Sequence, residues 1–537
     1  MTKLAEELIK SLYGLGVRYV FGIPGGPSIP YMEAMRNHGM EFVTVANEQS
    51  AGMMADVFGR LTGIPGVCHA TFGPGTTNLS TGIGGALLDR SPLIAFTTEV
   101  KDEDLGRKVQ MNVDHQALLK PITKWTTRLS KDNFKATITN AFQIATAEAP
   151  GPVHIGLPVN VAEMDLDADH MINYFEKKSI LPPDSLLLAE VKTILEKAKK
   201  PILAIGLTAF RHGLHHSIRE FLNKNNIPVV LTPMAKGIVP EDHPSYVGVL
   251  FHAKSECAAS IYRNADLVIG LGYDSIEFNY EAWMPSVPLI HIDTEPVDIT
   301  PEYNVACEIL GNLRDSIAYL NTLELPTYDW NFKEIEDTKL QMFAALMPET
   351  KTFTPSDAIG VLQEIMPKDS ILTSDVGAHL HLLGQLWKVH EGSRLIMTNG
   401  WSTMGFGIPS AIAAKLCSPS SAVACITGDA GFLMNCGELL IARKRKINVV
   451  IVVFCDSNLS LIEVKQGWNN VVQYATDLHE GEYFDADKFL GVPVFKAKDK
   501  NEMKTSLQRA LEVSGPVVIE AVVDGSIYKN LIARNYK

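Results

Sequence analysis

Two apolar runs that each end in an acidic turn constrain this chain more than any other feature. Residues 423–427 (Val-Ala-Cys-Ile-Thr) lead into Gly428-Asp429-Ala430-Gly431. After a helical stretch at 438–445, residues 449–454 lead into Cys455-Asp456-Ser457-Asn458. Asp429 and Asp456 stand 27 positions apart, a separation that suits two parallel strands joined by a crossover helix. Ligands of open α/β sheets sit beyond the carboxyl ends of such strands. Small residues after Asp429 let backbone N–H groups approach an anion, and oxygens of Asp429, Asp456 and the 458 turn form a hard donor set suited to Mg²⁺. The stretch reads as a cradle for a diphosphate and a divalent cation. An ordinary strand–turn–helix with an acidic turn residue has the same local composition.

The same alternation of strand, glycine turn and helix runs through the whole chain. Leu4, Leu8, Ile9 and Leu12 mark an opening helix, and Tyr19-Val20-Phe21 runs into Gly22-Ile23-Pro24-Gly25-Gly26-Pro27. Residues 42–45 end at Asn47-Glu48-Gln49, and residues 67–70 end in a loop at 71–78 that opens another helix. Further strands are expected at 201–205, 229–231, 267–270 and 289–293, with polar connectors at 165–183 and 326–350. A chain of 537 residues is too long for one core. The pattern predicts an α/β protein of three doubly wound, parallel-sheet domains at 1–165, 186–325 and 351–537.

Charge and cysteine usage narrow the classes of function. With 48 basic and 61 acidic residues, a net charge of −13 gives no long-range attraction to nucleic acid or an anionic membrane. The seven cysteines are scattered without a CxxC pair, which fits a reduced, cytoplasmic setting and no zinc site. No apolar run approaches the length that spans a bilayer.

The 428–458 stretch resembles the signature of thiamine diphosphate (ThDP) enzymes, in which Gly-Asp-Gly precedes an Asn-containing turn. Ala430 replaces the second glycine, and Cys455-Asp456 replaces the usual Asn-Asn. Pro24-Gly25-Gly26, the segment Asn47-Glu48-Gln49-Ser50-Ala51-Gly52, and Gly73-Pro74-Gly75-Thr76-Thr77-Asn78 resemble, in order, segments of the acetolactate synthase branch. The resemblance covers nearly the whole chain and implies a pyrimidine-binding, a central Rossmann-like and a diphosphate-binding domain. It implies that Glu48 is the catalytic carboxyl that controls the tautomer of the cofactor's aminopyrimidine. Pro24, Gly25 and Asn78 would join Glu48 on the pyrimidine side. Val376, Gly377, His379, Ser402, the wedge residue Met404, Gly428, Asp429, Ala430 and Gly431 would hold the cofactor, with Asp429, Asp456 and Asn458 on Mg²⁺. In that superfamily the glutamate and the cradle come from different subunits, so a homodimer or homotetramer with sites at the subunit interface is implied.

The activity so implied is decarboxylation of a 2-oxo acid such as pyruvate, with carboligation of the remaining unit to a second carbonyl, the chemistry of acetolactate synthases. Gln110, Met111, His115, Leu461 and Lys465 are candidate substrate contacts. Met111 stands where acetolactate synthases usually carry a glutamine, and Gln110 is one position off. Residues 272–278 (Gly-Tyr-Asp-Ser-Ile-Glu-Phe) resemble the catabolic, flavin-independent members. Asp274 aligns with an arginine of the biosynthetic, FAD-containing kind, which argues against FAD. A ThDP-dependent decarboxylase or C–C lyase acting on another substrate is the competing reading, and a catalytically idle homologue a third. Retention of Glu48, Asp429 and Asp456 argues against the third.

Overall fold

A computed structural model of the chain describes residues 2–166, 171–277, 286–299, 303–479, 483–484 and 486–532. Three larger sheets carry the architecture, each built of parallel strands with intervening helices, as the alternation predicts. In the first, the strand order is Glu41–Thr44, Tyr19–Gly22, Gly66–Ala70, Leu93–Glu99, Pro152–Pro158, Trp125–Arg128. Its three central strands are buried at every position, as expected for a parallel sheet covered on both faces. The second orders Tyr246–Val249, Val229–Leu231, Pro201–Ile205, Leu267–Leu271, Leu289–Asp293 and Val305–Leu310. The third orders Arg394–Ile396, Ile371–Ser374, Val423–Gly428, Val450–Cys455, Val517–Val522 and Val492–Ala497, with Lys488–Phe489 at its edge.

That edge adds one antiparallel strand to the doubly wound parallel sheet. Lys488–Phe489 pairs antiparallel with Val492–Ala497, through a two-residue turn at Leu490 and Gly491 whose φ angles are 50° and 75°. Two positive φ values match the twist of a tight hairpin. The connectors also differ from plain linkers. Asp165–Leu166 pairs antiparallel with Thr2–Lys3, tying the end of the first domain to its start; residues 167–170 of that connector lie outside the described ones. Residues 326–350 contain a helix, Phe332–Leu346, capped by the Asn331 carboxamide, which accepts from the N–H groups of Lys333 and Glu334. Its buried residues, Ile335, Met342 and Leu346, are too sparse to stand out as a period in the sequence.

The first and third domains share one core. Helix Glu48–Thr62 packs on helix Gly407–Cys417, and Ala51, Met54 and Ala55 lie in the same buried cluster as Ile408, Ala411 and Ile412. Small residues on the facing sides let the two helices approach closely. The start of helix Glu48–Thr62 is therefore fixed by both domains.

Candidate active site

Three adjacent parallel strands of the C-terminal sheet, Ile371–Ser374, Val423–Gly428 and Val450–Cys455, end around a cavity of about 190 Å³. Its lining includes Val376, Gly377, His379, Ser402, Met404, Gly428, Asp429, Ala430, Gly431, Asp456, Asn458 and Leu461. The sequence-predicted cradle is thus assembled in one place. Ala430 sits within helix Asp429–Asn435, where a methyl group is at ease. Gly431 has no such latitude, because a Cβ there would stand 1.6 Å from Asp375 Oδ2.

Asp375 is a structural member of the cradle to which the sequence assigned no role. Its buried carboxyl accepts from the Val376 N–H at 2.7 Å, the Phe406 N–H at 3.2 Å and the Thr427 hydroxyl at 3.0 Å. It therefore ties the 375–379 turn to the 404–407 loop, and burial pushes its pKa up to about 6. An aspartate immediately after a strand gave no signal that separated it from an ordinary turn residue.

Asp429 Oδ1 accepts from the Ala430 N–H at 2.7 Å and its Oδ2 from the Ser457 N–H at 2.8 Å. Asp456 Oδ2 accepts from the Ser460 hydroxyl at 2.5 Å. Burial pushes the Asp456 carboxyl up to about 7, and the neighbouring Asp429 adds to the shift; Asp429 is raised as well, chiefly by burial. A divalent cation would relieve the opposition of Asp429 to the ionisation of Asp456. The Asn458 amide donates to Glu463 Oε2 at 2.7 Å, while its buried Oδ1 accepts no hydrogen bond among the described residues. The buried Nε2 of His379 is likewise without a partner. Buried polar atoms are ordinarily satisfied, so an oxygen and a nitrogen left open beside one cavity fit a bound group, the oxygen a cation. The donor set is all oxygen, which suits Mg²⁺.

Glu48 belongs to a second group of residues. It is 6% exposed at the start of helix Glu48–Thr62, where the Asn47 side chain accepts from the Gln49 N–H at 3.0 Å. Asn78 Nδ2 donates to Glu48 Oε2 at 3.1 Å. Gly75 clears the other oxygen, since a Cβ there would lie 3.1 Å from Glu48 Oε1. From the C-terminal domain, Glu438 Oε1 accepts from the N–H groups of Ala46 and Asn47 at 3.0 and 3.3 Å, and the Gln49 amide donates to Asn435 Oδ1 at 2.8 Å. Glu438 is another residue that the sequence did not single out; burial raises its pKa to about 7. Pro24 and Gly25 lie at the end of the Tyr19–Gly22 strand, with Gly25 close against Thr71. Within one chain, every residue lining the cavity falls between 376 and 528, and Glu48, Pro24, Gly25 and Asn78 are not among them.

The substrate candidates divide. Leu461 lines the cavity, whereas Val464 on the same helix is in the core. Lys465 is exposed on helix Ser460–Trp468 and outside the cavity lining. Gln110 and Met111 are exposed in one chain, Met111 with φ 62°. His115 is not open to a ligand: it is 2% exposed, with both ring nitrogens within reach of partners.

The central domain has its own cavity of about 430 Å³ beyond its strand ends, lined by Thr208, Tyr273, Asp274, His291 and Asp293 among others, and beside it one buried carboxyl is satisfied within the protein. Glu277 accepts from the Leu207 N–H at 2.8 Å, the Thr232 hydroxyl at 2.8 Å and the Met234 N–H at 2.9 Å. Burial pushes its pKa up to about 8. Asp274 takes both ends of Arg90, at 2.5 and 3.1 Å, a bidentate pair between the first and central domains. Phe278, the last residue of that segment, lies outside the described residues.

Comparison with known proteins agrees with this layout. Residues 2–118 match the N-terminal TPP binding domain of thiamine pyrophosphate enzymes, residues 188–320 their central domain, and residues 375–521 their C-terminal TPP binding domain. A probable acetolactate synthase large subunit of Methanocaldococcus jannaschii is 31% identical over 97% of this chain and 92% of its own length. The acetolactate synthase of Bacillus subtilis is 28% identical over 98% of this chain and 94% of its own. The acetolactate synthase isozyme 2 large subunit of Escherichia coli is 28% identical, over 97% and 95% respectively.

Proposed function

Because this chain belongs to the thiamine pyrophosphate-dependent, acetolactate synthase-like family, we propose that it decarboxylates a 2-oxo acid such as pyruvate and joins the remaining unit to a second carbonyl. The observation that carries the reading is the pair of buried atoms without a partner among the described residues, Asn458 Oδ1 and His379 Nε2, beside the carboxyls of Asp429 and Asp456. Asp429, Asp456 and Asn458 would hold Mg²⁺, and the 376–379 and 428–431 turns would hold the diphosphate. When bound, ThDP supplies a nucleophilic carbon and an electron sink for the decarboxylation and the ligation.

The chain's own residues do the rest. Asn78 occupies Glu48 Oε2, which leaves Oε1 as the atom to hold or pass a proton at the aminopyrimidine. Met404, Leu461 and Ile462, which line the cavity, exclude water, so that charge at the reacting centre is felt at low dielectric. The cavity lining and Glu48 are separate within one chain, so a complete site is proposed to combine the cradle of one copy with the Glu48 of another in a homodimer or tetramer. The central domain is proposed to carry no flavin, because residues 272–278 resemble the flavin-independent members and Asp274 stands where the FAD-containing kind carries an arginine.

A second reading, a decarboxylase or lyase for another substrate, draws support from one observation. Asp274 and Arg90 satisfy each other, so the 274 position offers no cation to an acceptor's carboxylate. Incubation with pyruvate, ThDP and Mg²⁺ followed by product analysis separates the two readings: acetolactate with released CO₂ is expected, and acetaldehyde alone or no turnover would exclude the synthase. In the same series Glu48→Gln should retain ThDP and lose exchange of the cofactor's C2 proton. Mixing it with Asp429→Ala should recover part of the activity if the sites form between copies, and no recovery would reject a shared site.

A further inference from the structure

His115 and His154 stand outside the proposed chemistry, yet they join a buried chain of hydrogen bonds that ends on the loop facing Glu48. The Gly73 N–H donates to His115 Nε2 at 3.2 Å. A backbone amide can only donate, so Nε2 carries the lone pair and, in a neutral ring, Nδ1 carries the proton. Burial holds His115 neutral, its pKa lowered to about 4. Nδ1–H then donates to Thr97 Oγ1 at 3.0 Å, and the Thr97 hydroxyl donates to His154 Nε2 at 2.7 Å. His154, also held neutral by burial, donates from Nδ1 to Thr126 Oγ1 at 2.7 Å. The Thr126 hydroxyl donates to Gln116 Oε1 at 2.6 Å, and the Gln116 amide to Glu99 Oε1 at 2.6 Å. Arg128 pairs with Glu99 and closes the chain.

Every donor and acceptor in this sequence is used in one direction, with no ambiguity of tautomer. That directionality also removes the other use of the cluster. Glu99, His115 and His154 approach closely enough for a metal, but His115 has its lone pair on the Gly73 amide and a proton on the nitrogen that faces the others. Gly73, with φ 72°, is further hemmed in by the Met111 carbonyl, which would lie 2.6 Å from a Cβ. From Gly73 the loop runs through Gly75, which clears Glu48 Oε1, to Asn78, which donates to Glu48 Oε2.

We propose that His115 and His154 are positioning residues for Glu48: through Thr97 they form a one-way hydrogen-bond chain that fixes residues 73–78 against the Glu48 carboxyl. The proposal rests on Glu48 being the cofactor-activating acid and adds residues that act on it only through the loop. The test compares His115→Leu, which leaves the Gly73 N–H without an acceptor, with His115→Gln, whose Oε1 can take its place. Amide hydrogen exchange of the 71–79 segment is read by mass spectrometry in the cofactor-free protein, together with ThDP affinity and C2-proton exchange. His115→Leu should speed amide exchange in that segment about 10-fold and slow C2-proton exchange by a similar factor. ThDP affinity should stay within about 3-fold, since the diphosphate cradle is untouched. His115→Gln should restore both rates. Equal behaviour of the two variants, or unchanged protection at 71–79, would overturn the proposal. If His115→Leu does not fold, Thr97→Val, which cuts the link between the two rings at nearly constant volume, takes its place with the same expected direction; unchanged protection there overturns it equally. Glu48→Gln run in parallel keeps the premise separate: normal C2-proton exchange in that variant rejects the role of Glu48, while the amide arm still decides whether the histidines hold the loop.

Discussion

The central and C-terminal domains are built on the same plan, six parallel strands with a cavity beyond their ends, and they treat the buried polar atoms there differently. In the C-terminal domain, Asn458 Oδ1 and His379 Nε2 have no partner among the described residues, beside Asp429 and Asp456. In the central domain, Glu277 satisfies the Leu207 and Met234 N–H groups and the Thr232 hydroxyl. One carboxyl cluster has open polar atoms beside it, and the other buried carboxyl is satisfied by neighbours in the protein. The lesson is that a strand-end crevice announces a ligand through its unsatisfied polar atoms, not through its glycines. Gly206 and Gly272 support this: a Cβ on either would collide with backbone, of Tyr273 and Ala209 respectively, so they are needed for packing alone.

The strongest way to break the comparison is to remove a carboxyl from the open crevice. Asp429→Ala should weaken Mg²⁺-dependent ThDP binding about 100-fold or more, measured by titration of the metal-loaded cofactor, with the melting temperature of the cofactor-free protein unchanged or raised. A drop in that temperature with intact ThDP binding would mean that Asp429 is structural. Glu277→Ala should do the reverse. It orphans three buried donors at a cost of about 2–4 kcal/mol, read by denaturant unfolding, and leaves ThDP affinity alone.

The pH dependence of stability sharpens the same contrast with a smaller effect. The Glu277 carboxyl is raised from 4.5 to about 8, so the folded state favours its protonated form. Its stabilising share is fully present below the unfolded value and is lost as the pH rises through about 8. Between pH 5 and 9 the melting temperature should therefore fall more steeply for the natural chain than for Glu277→Gln, and parallel curves would reject the assignment. The smallest effect is expected at Ala430→Gly. Because Ala430 is helical, restoring a glycine should destabilise the protein by about 1 kcal/mol and change ThDP affinity less than 3-fold; a large gain in affinity would show that the methyl obstructs the cradle.

Much of the site was legible before the fold. The turns at 376–379, 402–404 and 428–431, with Asp456 and Asn458, meet at one cavity because each follows a strand or packs on one, and strand ends in a parallel sheet converge. The residues that escaped notice act across long sequence separations. Asp375 bonds to residues 406 and 427, Glu438 to residues 46 and 47, and Glu277 to residues 207, 232 and 234. No local pattern marks them. His115 was legible as a candidate and illegible in its role, since a buried ring and a ligand-facing ring carry the same letter.

The sequence by itself determined the order of strands and helices, the three-domain division and the chemistry available at each turn, because periodicity, glycine turns and acidic strand ends are local properties. Only the tertiary structure decided which polar atoms are satisfied. It showed that Glu277 is satisfied by residues 207, 232 and 234, that Asn458 Oδ1 and His379 Nε2 find no partner among the described residues, and that Glu48 lies outside the cavity lined by residues 376–528 of the same chain. Satisfaction of a buried hydrogen-bonding group depends on atoms brought together from remote parts of the chain, and that information exists only once the chain has packed.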